Sequence, residues 1–176
     1  MTVDNREAEL NKLSSTWNQF GKDDPLWSIL GADGKRNNNW DVEDFFKTGD
    51  SEVEEVMSCL RTNANELDLG KALDFGCGVG RCTQAFARFF SGCVGVDIAP
   101  SMINLAEKFN PYPDSVSYVT NGVDDLSQFA DDEFDFVYSA RVLQHMPPSI
   151  SMRMNGIILL PPMTERSRAS MLTGIW

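Results

Sequence analysis

Hydrophobic positions fall at helical spacing in the first third of the chain and give way to strand-and-turn alternation from residue 71 onward. Over residues 4–20, Leu10, Leu13, Trp17 and Phe20 lie on one face of a 3.6-residue repeat, which predicts an amphipathic helix. Gly21 and Pro25 interrupt it. Asp24 to Leu30 predicts a short helix with Pro25 in its first turn, and the glycine- and asparagine-rich residues 31–39 a loop. A further helix is expected at 51–63. There Ser51 and Glu54 fit a capping box, and Val53, Val56, Met57 and Leu60 form one stripe.

The second part reads as alternating strands and helices. Lys71 to Phe75 is a short apolar strand that runs into Gly76-Cys77-Gly78-Val79-Gly80. Arg81 to Phe90 reads as a helix with Phe86, Phe89 and Phe90 for packing, and Cys93 to Asp97 as the next strand. Pro100 to Phe109 reads as a helix, Ser115 to Val119 as a third strand, and Phe134 to Ser139 as a fourth. Strands separated by helices at this spacing predict βαβ units in a parallel sheet, an α/β fold. Residues 1–65 are expected as a helical cap, 66–150 as the core and 151–176 as an atypical tail.

Glycines between a strand and a helix let the chain turn tightly and bring backbone close to a ligand. The helix that follows presents unpaired N–H groups at its start. Asp97 ends the next strand, about twenty residues on, where a carboxylate accepts hydrogen bonds from ribose hydroxyls. Asp74 precedes the glycines, and Arg81 stands where the dinucleotide pattern G-x-G-x-x-G wants its third glycine. An acid at the loop suits a positively charged ligand and repels a pyrophosphate. A nicotinamide-dependent oxidoreductase is therefore disfavoured.

The run Leu73-Asp74-Phe75-Gly76-Cys77-Gly78-Val79-Gly80-Arg81 resembles the first motif of the class I, Rossmann-like S-adenosylmethionine-dependent methyltransferases. Val96 to Met102 looks like the second motif, Thr120 to Leu126 like the segment that meets the adenine edge, and Phe134 to Ser139 with Val142 to Met146 like the fourth. The resemblance runs over residues 71–145. It implies S-adenosyl-L-methionine as cofactor, with Asp74, Gly76, Cys77, Gly78 and Gly80 at the loop, Asp97 on the ribose, and Ile98 and Met102 at the adenine. Asn121, Gly122, Val123 and Ser139 complete the implied set. Many members carry an aspartate where this chain has Gly122, so Asn121 or the backbone of Gly122 and Val123 is expected to serve the adenine instead. The implied activity is methyl transfer to a small-molecule acceptor.

After Ile150 the resemblance stops. No Lys-Pro-Gly-Gly-like turn follows, and residues 157–160 supply one strand at most, where the family's seven-stranded sheet needs three more. The chain is therefore expected to be a truncated or frame-altered form whose fourth strand lies near an edge. Self-association through the incomplete sheet is the corresponding partner expectation. The alternative function is a non-catalytic remnant with weak or no cofactor binding.

Composition narrows the partners. The net charge of −11 opposes affinity for nucleic acid or anionic membrane, and 42% hydrophobic residues suffice for a core. No stretch reads as a signal peptide or a membrane span, so a cytoplasmic protein is expected. Cys59, Cys77, Cys82 and Cys93 form no metal-ligand spacing, and no metal is expected.

Several residues carry two readings. His145, the single histidine, is a candidate general base after the fourth strand, or a histidine bonded to backbone. Trp17, Phe20, Trp27 and Trp40 form a lid or pack the helices onto the sheet. Arg141 meets a substrate carboxylate or stands in solvent, and Asp131, Asp132 and Glu133 form a solvated turn. Cys77 is expected to pack rather than react.

Overall fold

The computed structural model describes residues 3–63 and 69–151. The tail beyond Ser151, with the strand expected at 157–160, and the boundary expected at residue 65 lie outside the described residues. In chain order the elements are α1 (Val3–Asp23), α2 (Pro25–Ile29), α3 (Val42–Asn63), β1 (Lys71–Phe75), α4 (Arg81–Phe86), β2 (Gly92–Asp97), α5 (Pro100–Lys108), β3 (Val116–Thr120) and β4 (Phe136–Tyr138). A 3-10 turn follows at Leu143–His145.

The four strands form one parallel sheet in the order β3-β2-β1-β4. The second strand pairs on one side of β1 and the fourth on its other side, so the winding reverses between β1 and β4. That reversal opens a crevice at the carboxyl ends of the strands. The expected Rossmann-like α/β class is what the chain adopts over the described residues.

Alternation along the strands sorts the core. Ala72, Cys93, Val116, Tyr118, Phe136 and Tyr138 pack toward Val53, Met57 and Leu60 of α3 and Phe86 of α4. Phe90 stacks on Phe136 with ring centroids 5.2 Å apart, and Phe86 meets Tyr138 edge-on at 5.0 Å. Each such ring contributes roughly 1.5–3 kcal/mol by burial alone. On the opposite face Leu73, Phe75 and Val96 pack with Ile150 and Leu10.

Four local expectations need correcting. Gly21 does not interrupt the first helix, which runs through it to Asp23. The third helix begins at Val42, not Ser51, and Asp41 caps it by accepting the Asp44 N–H at 3.0 Å. Ser51 sits inside the helix with its hydroxyl donating to the Lys47 carbonyl, so there is no capping box at 51–54. Gly49 lies within this helix. A Cβ there would run into the backbone carbonyl of Arg81, and the glycine is what lets α3 lie close to α4. The fourth helix ends at Phe86 rather than Phe90, because Arg88 and Phe89 bond back only three residues, to Ala85 and Phe86. The fourth strand is confined to Phe136–Tyr138, with Phe134 packed edge-on against Phe129 outside the ladder.

Candidate active site

A cavity of about 220 Å³ opens at the carboxyl ends of the strands. The turn after β1 supplies Gly76 and Gly78, the end of β2 supplies Asp97 and Ile98, and the loop after β3 supplies Asn121 and Val123. Met102 of α5 joins them, and residues from Ala140 to Met146 form the wall beyond β4. Leu10, Leu13 and Trp17 of α1 close the opposite side.

The glycine turn is held by backbone bonds. The N–H groups of Gly76 and Cys77 both donate to the Val96 carbonyl, at 2.7 and 3.0 Å, and Gly80 donates to Cys77 at 2.9 Å. Gly76, Gly78 and Gly80 all have φ in the left-handed region, at 78°, 54° and 83°. A Cβ at Gly76 would collide with the Val142 side chain, so the turn after β1 and the loop after β4 touch through that missing group.

Asp97 ties the turn to the second strand. One carboxylate oxygen accepts the Gly78 N–H and the other the Ala99 N–H, both at 2.9 Å. Burial raises its pKa, and those same N–H groups pull it back. Asp74 is 5% exposed and accepts the Thr83 hydroxyl at 2.7 Å. Burial pushes its pKa up to about 6, against that hydrogen bond and the neighbouring Arg81.

The implied residues thus divide. Gly76, Gly78, Asp97, Ile98, Met102, Asn121, Val123 and His145 line one cavity. Asp74, Cys77, Gly80, Gly122 and Ser139 are not in its lining. Asp74 supports the turn from behind through Thr83. Cys77 is buried and its thiol pKa is driven upward by burial, which keeps it a packing group. A Cβ at Gly80 would meet the Tyr118 hydroxyl. Gly122 is exposed, and Ser139 carries a buried hydroxyl with no partner among the described residues. The Asn121 side chain closes its own loop, donating to the Asp125 carbonyl at 2.7 Å and accepting the Val123 N–H at 3.2 Å. The Asn121 amide and the Val123 N–H are therefore both committed within this loop.

Sequence reasoning missed a charged cluster behind the β4 wall. Glu52 of α3 accepts the Tyr138 hydroxyl at 2.6 Å, Nη2 of Arg81 at 2.7 Å and Nη1 of Arg141 at 3.2 Å. Burial alone would raise the Glu52 pKa, but the Tyr138 hydroxyl and the two guanidinium groups hold it below its usual value. Arg141, expected in solvent or on a substrate, is an ion-paired residue of the cavity wall with φ of 62°. No local pattern links residue 52 to residues 81 and 141, so only the tertiary fold exposes this cluster. Asp131 and Asp132 are exposed, as expected, while Glu133 lies 3.5 Å from Lys71.

The aromatic residues of the first forty positions also divide. Trp17 lines the cavity and meets the His145 ring edge-on at 5.4 Å. Trp40 packs on Phe45 at 5.6 Å, and Trp27 lies under the Arg36 guanidinium. The first helix spans three of the strand ends. Ser14 donates to the Ile98 carbonyl at 3.1 Å, Arg6 pairs with Asp124 at 3.5 Å, and Ser149 donates to Glu9 at 2.5 Å.

The glycine turn, the acid ending the second strand and the 3-2-1-4 strand order are features of a Rossmann-like, doubly wound domain. Residues 73–154, a little under half of the chain, match the family model described as a methyltransferase domain. The ubiquinone biosynthesis O-methyltransferase of Xanthomonas campestris pv. campestris is 29% identical over 93 residues, covering 52% of this chain and 39% of the relative. That of Xanthomonas oryzae pv. oryzae is 31% identical over 99 residues, covering 54% and 41%. The chain thus spans about two fifths of the length of these curated relatives. Among solved structures, magnesium protoporphyrin IX methyltransferase from Synechocystis PCC 6803 superposes with a TM-score of 0.58 at 25% identity, over 83% of this chain and 64% of that one. Phosphoethanolamine N-methyltransferase 1 of Haemonchus contortus gives a TM-score of 0.61 at 16% identity, over 84% and 28%, a likeness of fold alone. No helix among the described residues is long and apolar enough to cross a membrane, and no cluster of metal-ligating side chains occurs among them.

Proposed function

We propose that this chain binds S-adenosylmethionine and transfers its methyl group to a small-molecule acceptor. One observation carries the reading: Asp97 and the glycine turn border the same cavity, at the ends of adjacent parallel strands. The chemistry of Asp97 fits the cofactor. Its carboxylate accepts the Gly78 and Ala99 N–H groups, and a carboxylate has about four lone-pair sites, so acceptor capacity is left for ribose hydroxyls. Ile98 and Met102 supply an apolar wall for the adenine, and Asn121 and Val123 border the same cavity.

The cofactor, when bound, supplies an electrophilic methyl group on a sulfonium that leaves readily. The protein's own task is alignment and exclusion of water. Leu10, Leu13, Trp17 and Val142 give the cavity an apolar rim suited to that. His145 stands at the rim as the general base for an acceptor proton, held by Trp17 and with the Gln144 amide 3.1 Å from its Nε2. In this reading residues 1–65 act as the cap over a core of residues 66–150, the protein works in the cytoplasm without nucleic acid or membrane, and self-association would use the β4 side of the sheet. A non-catalytic remnant is not favoured, because the cofactor side of the cavity is assembled.

Calorimetric titration with S-adenosylmethionine, S-adenosylhomocysteine and NAD tests the reading. The first two are expected to bind one to one, and NAD not at all. Binding of NAD alone would overturn it, and binding of none would favour the remnant. A His145→Gln variant that keeps cofactor affinity but loses about a hundredfold in kcat would support the base role.

A further inference from the structure

Among the described residues that line the cavity, Arg141 is the only arginine or lysine. It sits in a chain whose net charge is −11, on a wall otherwise made by Ala140, Val142, Gln144, His145 and Met146. The surrounding cluster holds two guanidinium groups against one carboxylate. Glu52 makes its shorter contact, 2.7 Å, to Arg81, whose side chain is 5% exposed. Arg141 is 52% exposed, and both of its contacts to Glu52, at 3.2 and 3.3 Å, use Nη1. Its Nη2 and Nε make no hydrogen bond with any described residue.

A half-exposed guanidinium tethered at one nitrogen is oriented without being satisfied. A planar fork of donors in that state matches a carboxylate in two-point geometry. The backbone supports the assignment. Arg141 holds φ at 62°, a conformation that costs free energy for a long side chain and persists only where the surroundings impose it. The Glu52 tether and the close fit of Val142 over Gly76 impose it here.

We propose that Arg141 is a carboxylate anchor of this site, with Glu52 as the residue that positions it. The proposal rests on the methyltransferase reading, which offers two sources of the carboxylate: the methionine end of the cofactor and an acidic acceptor.

Binding to the wild-type chain and to Arg141→Gln and Arg141→Lys separates them. The probes are S-adenosylhomocysteine, 5′-methylthioadenosine, which lacks the amino-acid end, and benzoate titrated into protein saturated with S-adenosylhomocysteine. If the anchor serves the cofactor, Arg141→Gln weakens S-adenosylhomocysteine about tenfold or more and leaves 5′-methylthioadenosine within about twofold, with Arg141→Lys in between. If it serves the acceptor, S-adenosylhomocysteine is unchanged, and benzoate binds the wild type but not Arg141→Gln. Equal losses for both nucleosides would show a collapsed pocket and overturn the proposal. So would unchanged affinity for S-adenosylhomocysteine together with no difference in benzoate binding. A wild type that binds neither nucleoside removes the methyltransferase reading itself, and this inference with it.

Discussion

The turn after β1 and the loop after β4 face each other across one cavity, and they are held by different means. Backbone groups fix the first: Val96 accepts two N–H bonds from the turn, and Asp97 accepts a third from Gly78. Side chains from distant segments fix the second: Glu52 holds Tyr138 and Arg141, and Trp17 meets His145. A backbone-built turn can change many of its side chains and keep its shape. A side-chain-built loop is re-aimed by a single substitution far away in sequence. The first construction suits an invariant ligand, and the second a variable one.

The largest expected effect tests whether the two constructions are coupled. Glu52 reaches Arg81, which follows the glycine turn, and Arg141, which lines the cavity beyond β4. Glu52→Ala leaves the buried Arg81 without its counter-charge, at a cost of about 3 kcal/mol or a fall of roughly 10 °C in Tm. The folded carboxyl titrates below its ordinary value, so its contribution is complete above pH 4.5 and is lost as the pH falls through the folded pKa. A variant that melts like the wild type at pH 7 would mean that the two walls stand independently.

Gly76→Ala strikes the contact between the walls directly. The new Cβ would carry a left-handed φ of 78° and meet Val142. Strain and overlap together cost about 3 kcal/mol, and S-adenosylhomocysteine affinity is expected to fall about a hundredfold in calorimetry. Preserved affinity would show that the Val142 loop yields easily.

How much of this was legible follows the same division. The glycines, Asp97 and the strand–helix alternation lie within one stretch of chain, because βα turns are local structures. Residues 71–97 therefore disclosed both the fold class and the cofactor side. The Glu52 cluster joins positions 29 and 89 apart in sequence, and nothing local marks it. Gly21 misled in the opposite direction: it reads as a helix break, yet it lies inside α1, where a Cβ would meet Ser101 of α5. Asn121 read as a ligand group because its type allows it, whereas its amide is used by its own loop.

A pH titration sharpens the comparison from the backbone side. Asp74 moves from an ordinary 3.8 to about 6 on folding, because it is buried. The native state then binds the proton more tightly than the unfolded chain does. Stability should fall as the pH rises from about 4 to 6 and level off above, by up to roughly 3 kcal/mol. This is opposite in sign to Glu52, whose loss comes on acidification. Asp74→Asn keeps an acceptor for Thr83 and should flatten the Asp74 contribution. The check is the difference between wild-type and variant unfolding free energies at pH 4 and pH 7; equal differences at both would rule out a buried, proton-linked Asp74.

The smallest expected effect is a gain. Gly122 stands where the family resemblance would place an aspartate, and an added Cβ meets nothing within 4 Å. Its φ lies outside the left-handed region, so a side chain is accommodated without strain. Gly122→Asp should therefore change stability by no more than about 0.5 kcal/mol. A carboxylate beside the loop that carries Asn121 and Val123 would add one acceptor for the adenine amino group, worth about 1 kcal/mol or roughly fivefold in S-adenosylhomocysteine affinity. An inosine analogue of the same ligand, which lacks that amino group, should gain nothing. If both ligands gain equally, the new charge acts on the cofactor's positive end from a distance. If neither gains, the backbone at 122–123 already satisfies the base edge, and the β3 loop belongs with the glycine turn as a backbone-built wall.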